Sequence, residues 1–287
     1  ASAISSSKLI PGTTHSIHIV QVNAGGSVTI KVADSFSGTA HVGGFQLRKI
    51  DSTPIRFYVN DNSPTDLDGT SWASAFHDLQ VPLLAADSIG GSHVEIWASQ
   101  GFYYPTTGSS RTATFRIPSG TRLYGGFAGT KTSLTQRTDP WTFITDMSGS
   151  IGASSQSDNS YHVVDADDTN STTLIDGFSI ARGYASGGGD DSKGGGMTAR
   201  NSSITCRNVK FLSNYASVDG GAVLSTGGNP TFTNGLFYDN WTSGSGGGVY
   251  HHTSGVAMFA NTEFLENRAT GDGGAPRHRR VPRGAAR

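Results

Sequence analysis

Acidic side chains gather in the middle of the chain, where they could take part in cleaving a glycosidic bond. Glycoside hydrolysis uses two carboxyl groups about 5–9.5 Å apart, one of which is an acid and the other a base or nucleophile. The candidate catalytic residues are Asp165, Asp167, Asp168, Arg182, Asp190 and Asp191. The last two lie in a glycine-rich insertion, GGGDDSKGGG at 187–196. The competing interpretation, which the sequence favours, is that these are solvated charges in turns.

The segment DNSPTDLDGT at 61–70 is a candidate calcium loop. Asp61, Asp66 and Asp68 have a spacing compatible with carboxylate ligands, but the full twelve-residue loop and its downstream Glu are absent. A turn followed by a helix start is the alternative. Calcium is therefore a possible cofactor, and no other cofactor is predicted. His251 and His252 are adjacent in an expected strand, where they would point to opposite faces and make a poor metal pair.

Aromatic side chains form a third candidate binding feature, because exposed rings can stack on sugars, although several of these rings also suit a core. The residues are Tyr103, Tyr104, Tyr124, Tyr184, Tyr238 and Trp241. The expected partners are carbohydrate or other molecules on the surface of a host or neighbouring cell. Nucleic acid is not expected, because the formal net charge is −1 and only 15% of the residues are charged.

The single cysteine, Cys206, lies in an alternating apolar pattern that predicts an inert, buried thiol and excludes an intrachain disulfide. No apolar run is long enough to predict a transmembrane helix.

A repeat occupies the second half of the chain. Phe211, Phe237 and Phe264 are 26 and 27 residues apart. An Asn lies three residues before each Phe and another three residues after it, and a Gly pair follows in step. These Asn residues are Asn208, Asn234 and Asn261, then Asn214, Asn240 and Asn267. The Gly pairs are assigned to 220–221, 247–248 and 273–274.

The period predicts an all-β fold, a right-handed single-stranded parallel β-helix with about three strands per coil. Periods of 20–50 residues indicate solenoids or propellers, and about 26 is too short for a propeller blade. Equivalent residues would stack about 4.8 Å apart. The Phe residues would then form an inner column beside Cys206, Phe232 and Phe259. Asn columns would form amide ladders at left-handed turns, and Gly pairs would allow positive φ. These roles make the repeat architecture rather than a binding site.

One helix is predicted upstream of the repeat, over 71–81. Trp72, Phe76, Leu79 and Leu83 would share one apolar face, and Pro82 would kink or end the helix. A single amphipathic helix before a run of strands suits the cap of a solenoid.

The repeat resembles that of chlamydial-type polymorphic outer-membrane proteins, in which Phe-x-x-Asn alternates with Gly-Gly-Ala-(Ile/Leu/Val). The matching segments are 211–214, 237–240 and 264–267, together with 220–223 and 247–249. The upstream part resembles the opening of large secreted β-helix proteins of environmental bacteria. The resemblance covers about 56–275 and implies a pectin-lyase-like β-helix on an exported, surface-displayed bacterial protein, often adhesive.

Two functions are the main alternatives. The first is a non-catalytic, adhesin-like surface module. The second is a polysaccharide lyase or glycoside hydrolase, since the pectin-lyase-like fold also hosts those enzymes. The Gly-His-Gly and Arg-x-Lys motifs of polygalacturonases are absent, which favours the first, although Asp165, Asp167 and Arg182 could converge on one face. A calcium-dependent carbohydrate-binding module is a third interpretation.

The two ends of the chain differ from the region between them. Residues 1–50 have short alternating patterns that predict the remnant of a β-sandwich. Residues 276–287 are basic and fit no repeat, so a non-native tail is expected there. The predicted solenoid between these ends contains about eight coils and forms a rod about 40 Å long.

Overall fold

A computed structural model describes residues 54–152 and 155–273. The predicted sandwich remnant at 1–50 and the basic tail at 276–287 lie outside these residues. Within the described part of the chain, no helix is both long enough and apolar enough to cross a membrane.

The first half of the described chain mixes strands with short helices. Its elements are β1 (Ile55–Val59), a 3-10 helix (Trp72–Ser74), α1 (Gln80–Ser88), β2 (Val94–Ser99), β3 (Gly101–Tyr103), β4 (Phe115–Arg116), β5 (Arg122–Phe127), a 3-10 helix (Leu134–Gln136), β6 (Thr145–Ser148), a 3-10 helix (Gln156–Asp158) and β7 (Val164–Asp165).

The second half consists of short strands with one further 3-10 helix (Gly189–Ser192). The strands are β8 (Leu174–Asp176), β9 (Ser179–Ala181), β10 (Tyr184–Ala185), β11 (Met197–Arg200), β12 (Thr205–Arg207), β13 (Lys210–Leu212), β14 (Tyr215–Ala216), β15 (Val223–Thr226), β16 (Thr231–Thr233), β17 (Leu236–Tyr238), β18 (Trp241–Thr242), β19 (Val249–His252), β20 (Met258–Ala260), β21 (Glu263–Leu265) and β22 (Arg268–Ala269). The three units β8–β11, β12–β15 and β16–β19 thus contribute four strands each rather than three, because a bend after the second strand separates off a two-residue strand.

All strands pair in parallel within four stacked sheets. The sheets have the orders β1-β2-β5-β8-β12-β16-β20, β3-β6-β9-β13-β17-β21, β4-β7-β11-β15-β19 and β10-β14-β18-β22. Each sheet therefore takes one strand from each successive repeat. This confirms the expectation of a mostly β chain with stacked parallel sheets. The longest sheet has seven strands within the described residues, compared with about eight coils predicted.

Columns of apolar side chains fill the space between the sheets. Phe211 pairs in register with Phe237, and Phe237 with Phe264. Their rings stack nearly parallel, with centroids 4.7 and 4.6 Å apart. Phe211 and Phe237 are fully buried, whereas Phe264 is 38% exposed and Phe259 is 42% exposed in the last described repeat. The in-register pairing of equivalent residues explains why the repeat is conspicuous in the sequence.

The helix predicted over 71–81 is wrong in its bounds. Trp72 lies in a 3-10 helix and packs against Tyr58, with ring centroids 4.9 Å apart. Phe76 instead bridges Val59 in extended backbone and belongs to a different core. The two aromatic residues therefore face different cores, which no single helix would allow. The α-helix itself is Gln80–Ser88, and Pro82 lies in its first turn, where its missing N–H breaks no helical hydrogen bond.

The second Gly pair is displaced by one residue from the predicted alignment, and residue 274 of the third pair lies outside the described residues. Val223 pairs in register with Val249. The pair at 220–221 is therefore equivalent to 246–247, not to 247–248. The run of three glycines at 246–248 left two alignments open in the sequence.

The two glycines of a pair have different roles. Gly220 and Gly246 have φ of 67° and 72°, a left-handed conformation that glycine adopts without a steric penalty. Gly221 has an ordinary φ, but a Cβ there would lie 2.4 Å from the carbonyl oxygen of Gly247 in the next repeat. The second glycine is therefore required by close approach between repeats rather than by the turn.

Candidate functional site

The inner Asn column is a buried ladder that joins the repeats. The Nδ2 of Asn214 donates to Oδ1 of Asn240 at 3.0 Å, and Nδ2 of Asn240 donates to Oδ1 of Asn267 at 2.9 Å. Each Nδ2 also donates to a backbone carbonyl, that of Ile180 for Asn214 and of Phe211 for Asn240. Asn214, Asn240 and Asn267 are at most 1% exposed. Their amides are therefore engaged within the protein and do not face a ligand.

The outer Asn column lies at the left-handed turns. Asn208, Asn234 and Asn261 have φ of 53°, 51° and 50°. Their side-chain amides also form a chain, with Nδ2 to Oδ1 distances of 3.3 Å at both steps. The prediction of left-handed backbone holds for this column only. In the inner column the positive φ falls one residue earlier, at Ser213, Asp239 and Glu266.

The predicted catalytic acids meet an arginine that the sequence did not single out. Arg200, at the end of β11, places Nη1 2.8 Å from Oδ2 of Asp167 and Nη2 3.4 Å from Oδ1 of Asp190. Its backbone N–H also donates to Asp167. Asp168 is exposed and accepts a hydrogen bond from Asn201. The insertion thus folds back beside β7 and β11, where Asp167 and Asp190 are both balanced by one guanidinium.

A histidine and a further aspartate complete this acidic cluster. His162 lies with Nδ1 3.0 Å from the carbonyl oxygen of Gly194 and Nε2 3.7 Å from Oδ1 of Asp191. Burial lowers the pKa of the His162 imidazole, which favours the neutral ring that donates from Nδ1. Burial also raises the pKa of the Asp165 carboxyl, and the neighbouring charge of Asp167 acts in the same direction.

Arg182 does not join the cluster around Arg200. Its Nη2 lies 2.6 Å from Oδ2 of Asp146, and its Nε donates to the hydroxyl of Ser148 at 3.0 Å. These partners belong to β6, in a different sheet from β7 and β11. Arg182 therefore pairs with the buried carboxylate of Asp146 rather than with Asp165 or Asp167, and no contact among the described residues supports a convergence of these three side chains on one face.

The candidate calcium residues are used separately as turn acceptors. Asp61 accepts from the backbone of Phe102, Asp66 accepts from His77 and Asp78, and Asp68 accepts from Thr70. No group of three or more His, Cys, Asp or Glu side chains in residues 54–152 and 155–273 is arranged to hold a metal ion. The structure thus does not gather the three carboxylates, and calcium binding stays a prediction.

The aromatic candidates divide between core and surface. Tyr103 and Tyr124 are buried, at 3% and 5% exposure, so neither can stack on an external sugar. Tyr104, Tyr238 and Trp241 are exposed. Tyr184 and Trp241 flank Tyr215 in a ladder whose ring centroids are 4.5 and 4.7 Å apart. The rings are tilted against one another by 32° and 41°, so each pair partly covers the facing sides of its two rings.

Some charged contacts could not be read from the spacing in the sequence. Asp176 is fully buried and accepts from Arg137, Arg207 and Asn208 at 2.6–2.7 Å. The register between β8 and β12 brings Arg207 and Asp176 together across 31 residues. Aligning the segment at 174–176 with the repeat places Asp176 in the same column as Arg207, and this alignment indicates the pair. Nothing in the sequence indicates the Arg137 contact, which depends on a loop.

Comparison of the chain with protein-family models, with curated proteins and with solved structures finds no match. A function for the chain must therefore be argued from its own geometry.

Proposed function

We propose that this chain is a non-catalytic, exported or cell-surface, adhesin-like module of a bacterium. The observation that carries the proposal is that the repeated and charged side chains bind one another within the protein. The inner amides and aromatic rings join one repeat to the next, and Asp167, Asp190 and Asp176 are balanced by arginines. These residues serve as a scaffold, and what remains for recognition is the exposed surface.

The scaffold in this proposal is a right-handed, pectin-lyase-like parallel β-helix. Each of the four sheets receives its strands in the order of successive repeats, as winding of one chain around an axis requires. Crossover connections between parallel strands are right-handed in about 98% of cases, which supports that hand. The Phe-x-x-Asn and Gly-Gly repeats support kinship with polymorphic outer-membrane proteins.

In the same proposal, α1 covers one end of the solenoid. Leu83 and Ala86 are buried against the core, while Leu84 is 53% exposed. The helix therefore has one face on the core and one in solvent, as a solenoid cap requires.

Binding to intact cells and to a glycan panel tests the proposed function. Beads that carry the folded chain should be retained by some bacterial or animal cell surface, and free protein should compete. The matched control is the same beads after heat unfolding. Equal retention of folded and unfolded chain, or none on any surface or glycan, would contradict the proposal.

A polysaccharide lyase or glycoside hydrolase is the second candidate, and one observation favours it. Asp165 has a raised pKa and lies two residues from Asp167, which is held by Arg200. Acid and base roles require carboxyl groups in unlike environments. Release of reducing or unsaturated ends from acidic polysaccharides, abolished by Asp167→Ala and by Asp165→Asn, would establish this enzyme and overturn the first proposal.

A further inference from the structure

A small pocket lies at the corner between β9 and β10, and none of its lining residues belongs to the cluster around Arg200. Its volume is about 110 Å³, and its walls include Asn159, Arg182, Tyr184, Ser213 and Tyr215. Whole ligands usually occupy pockets of roughly 300–1,000 Å³. This pocket can therefore take one group of a ligand, and the rest of the ligand would lie across the surface beside it.

The lining of the pocket has a distinct chemistry. Besides the two tyrosines it offers serine hydroxyls and the side-chain amide of Gln156, whereas the amide of Asn159 is buried and donates to the carbonyl of Arg182. Its charged residue is Arg182, and no acid is among the lining residues described. Hydroxyl and amide groups both donate and accept hydrogen bonds. Such a lining suits a polyhydroxylated ligand that carries a negative charge.

Arg182 keeps donors for such a ligand. Asp146 takes Nη2 and Ser148 takes Nε, so among the described residues Nη1 has no protein acceptor. The Arg182 side chain is 42% exposed, whereas that of Asp146 is 7% exposed. The buried carboxylate of Asp146 therefore offsets the positive charge of Arg182 and fixes the orientation of its guanidinium. The N–H groups of Arg182 that have no partner in the protein stay accessible. Guanidinium is well suited to carboxylate and sulfate groups, which accept paired hydrogen bonds.

The tyrosines form an aromatic edge beside this group. Tyr184 and Tyr215 line the pocket and are the first two rings of the ladder that continues to Trp241. Arg111 lies against the same ladder, with its guanidinium carbon 6.0 Å from the Tyr184 ring centre, and donates to the carbonyl of Tyr184. An extended ligand leaving the pocket along the stack would run beside these rings and the tyrosine hydroxyl groups.

The geometry points to a binding site for an anionic saccharide, in which the pocket at Arg182, Asn159, Tyr184, Ser213 and Tyr215 takes one carboxylate- or sulfate-bearing sugar. This inference rests on the proposed function and specifies its ligand. The rest of the oligosaccharide lies along the tyrosine ladder. The site is separate from Asp165, Asp167 and Asp190, so it requires no catalysis.

Titration calorimetry on the full chain tests the site with three oligosaccharides: a hyaluronan tetrasaccharide, which carries carboxylates, a keratan sulfate oligosaccharide, which carries sulfate alone, and neutral chitotetraose. We expect at least one of the two anionic saccharides to bind at least tenfold more tightly than chitotetraose at low salt. The advantage should shrink at high ionic strength, since salt screens exposed charges.

Variants locate the site on the protein. Arg182→Lys keeps a positive charge beside Asp146 but loses the planar donors, and Tyr215→Ala removes one wall. Each should weaken anionic saccharide binding at least fivefold. Tyr250→Ala changes a half-buried tyrosine of β19 that neither lines the pocket nor belongs to the candidate sugar-stacking rings; it is the matched control and should bind as the unaltered chain does. A thermal unfolding transition like that of the unaltered chain shows that each variant is folded.

The outcomes separate this inference from the proposed function. Binding of chitotetraose as tightly as of both anionic saccharides, binding of none of the three, or full affinity in both pocket variants overturns the anionic site. If cell-surface binding persists in that case, the proposed function stands without it. If the chain binds neither saccharides nor cell surfaces, both proposals fail.

Discussion

At the scale of the residue, the two Asn columns differ in burial although the sequence presents them alike. Both are spaced three residues from the repeated Phe, and both form side-chain ladders. The inner amides are buried and have no water to replace a lost partner, whereas the outer ones are mostly exposed. An unmade hydrogen bond in the interior costs about 1–3 kcal/mol. The inner column should therefore dominate stability.

Asn240→Ala tests this difference. The change removes the acceptor of the Asn214 backbone N–H and side chain and the donor to the Phe211 carbonyl. We expect the free energy of unfolding to fall by about 3 kcal/mol in urea titrations. The matched control, Asn234→Gly in the outer column, removes the amide without the strain that Ala would meet at the left-handed φ of 51°, and it should cost about 1 kcal/mol or less. Equal losses would show that burial does not distinguish the columns.

The thiol of Cys206 offers a chemical test of the apolar column. Burial raises its pKa to about 12, and the side chain is 1% exposed. Because the thiolate is the reactive form, the native protein should not react with a thiol reagent at pH 8, and unfolded protein should react fully. Rapid stoichiometric labelling of the native protein would place the thiol outside the core.

Asp165 predicts a specific dependence of stability on pH. Its pKa is raised in the folded protein, so ionisation opposes folding. That penalty is absent below the ordinary pKa of the unfolded carboxyl, grows as pH rises, and is complete above the raised pKa. Asp165→Asn cannot ionise but can keep the acceptor for Asp167. Urea titrations from pH 3 to 7 should show the variant gaining stability relative to the unaltered chain, and a constant difference would contradict this.

At the scale of the element, a single stack of rings ties neighbouring repeats together. Phe237 lies between Phe211 and Phe264, with interplanar angles of 9° and 4°. It also makes edge contacts with Phe232 and Phe259. Phe237→Ala would leave a cavity that the rigid backbone ladders on both sides cannot close. The stack therefore belongs to β13, β17 and β21 together rather than to one strand.

Phe237→Ala should reduce the free energy of unfolding by about 3–5 kcal/mol. The control is Tyr238→Ala, the next residue of β17, whose side chain is 39% exposed on the other face; its cost should be about 1 kcal/mol or less. Chemical unfolding followed by circular dichroism measures both. A cost for Tyr238→Ala that matches Phe237→Ala would contradict the assigned faces of β17.

The sequence predicts these strands well because each position of the repeat occurs several times, so its residue type can be compared between copies. Where a segment occurs once, the prediction is weaker. Trp72 and Phe76 matched a helical spacing, yet tertiary contacts direct them to different cores. For the second glycine pair the spacing alone does not choose between 246–247 and 247–248, and the register between β15 and β19 selects 246–247. The paired strand register resolves both.

At the scale of the whole molecule, side chains from distant parts of the chain meet only through the stacking of repeats and the folding of loops. Arg200 contacts Asp167, which lies in the preceding repeat, and also Asp190, which lies in the insertion just before β11. Arg182 is a basic residue that could have paired with the candidate catalytic acids, but it contacts Asp146 instead. The acids were therefore visible in the sequence, whereas their partners required the three-dimensional register. The central claim is that equivalent strands stack in parallel at a constant spacing.

Pulsed electron spin resonance between nitroxide pairs tests that claim most directly, in a Cys206→Ala background. Phe102 and Glu263 are exposed and lie five register steps apart in one sheet, and Arg122 and Met258 lie four steps apart in another. At about 4.8 Å a step, the backbone separations should be about 24 and 19 Å. Two narrow distributions that differ by about one step would support the stacked fold. Broad distributions, or a longer distance for Arg122 and Met258 than for Phe102 and Glu263, would contradict it.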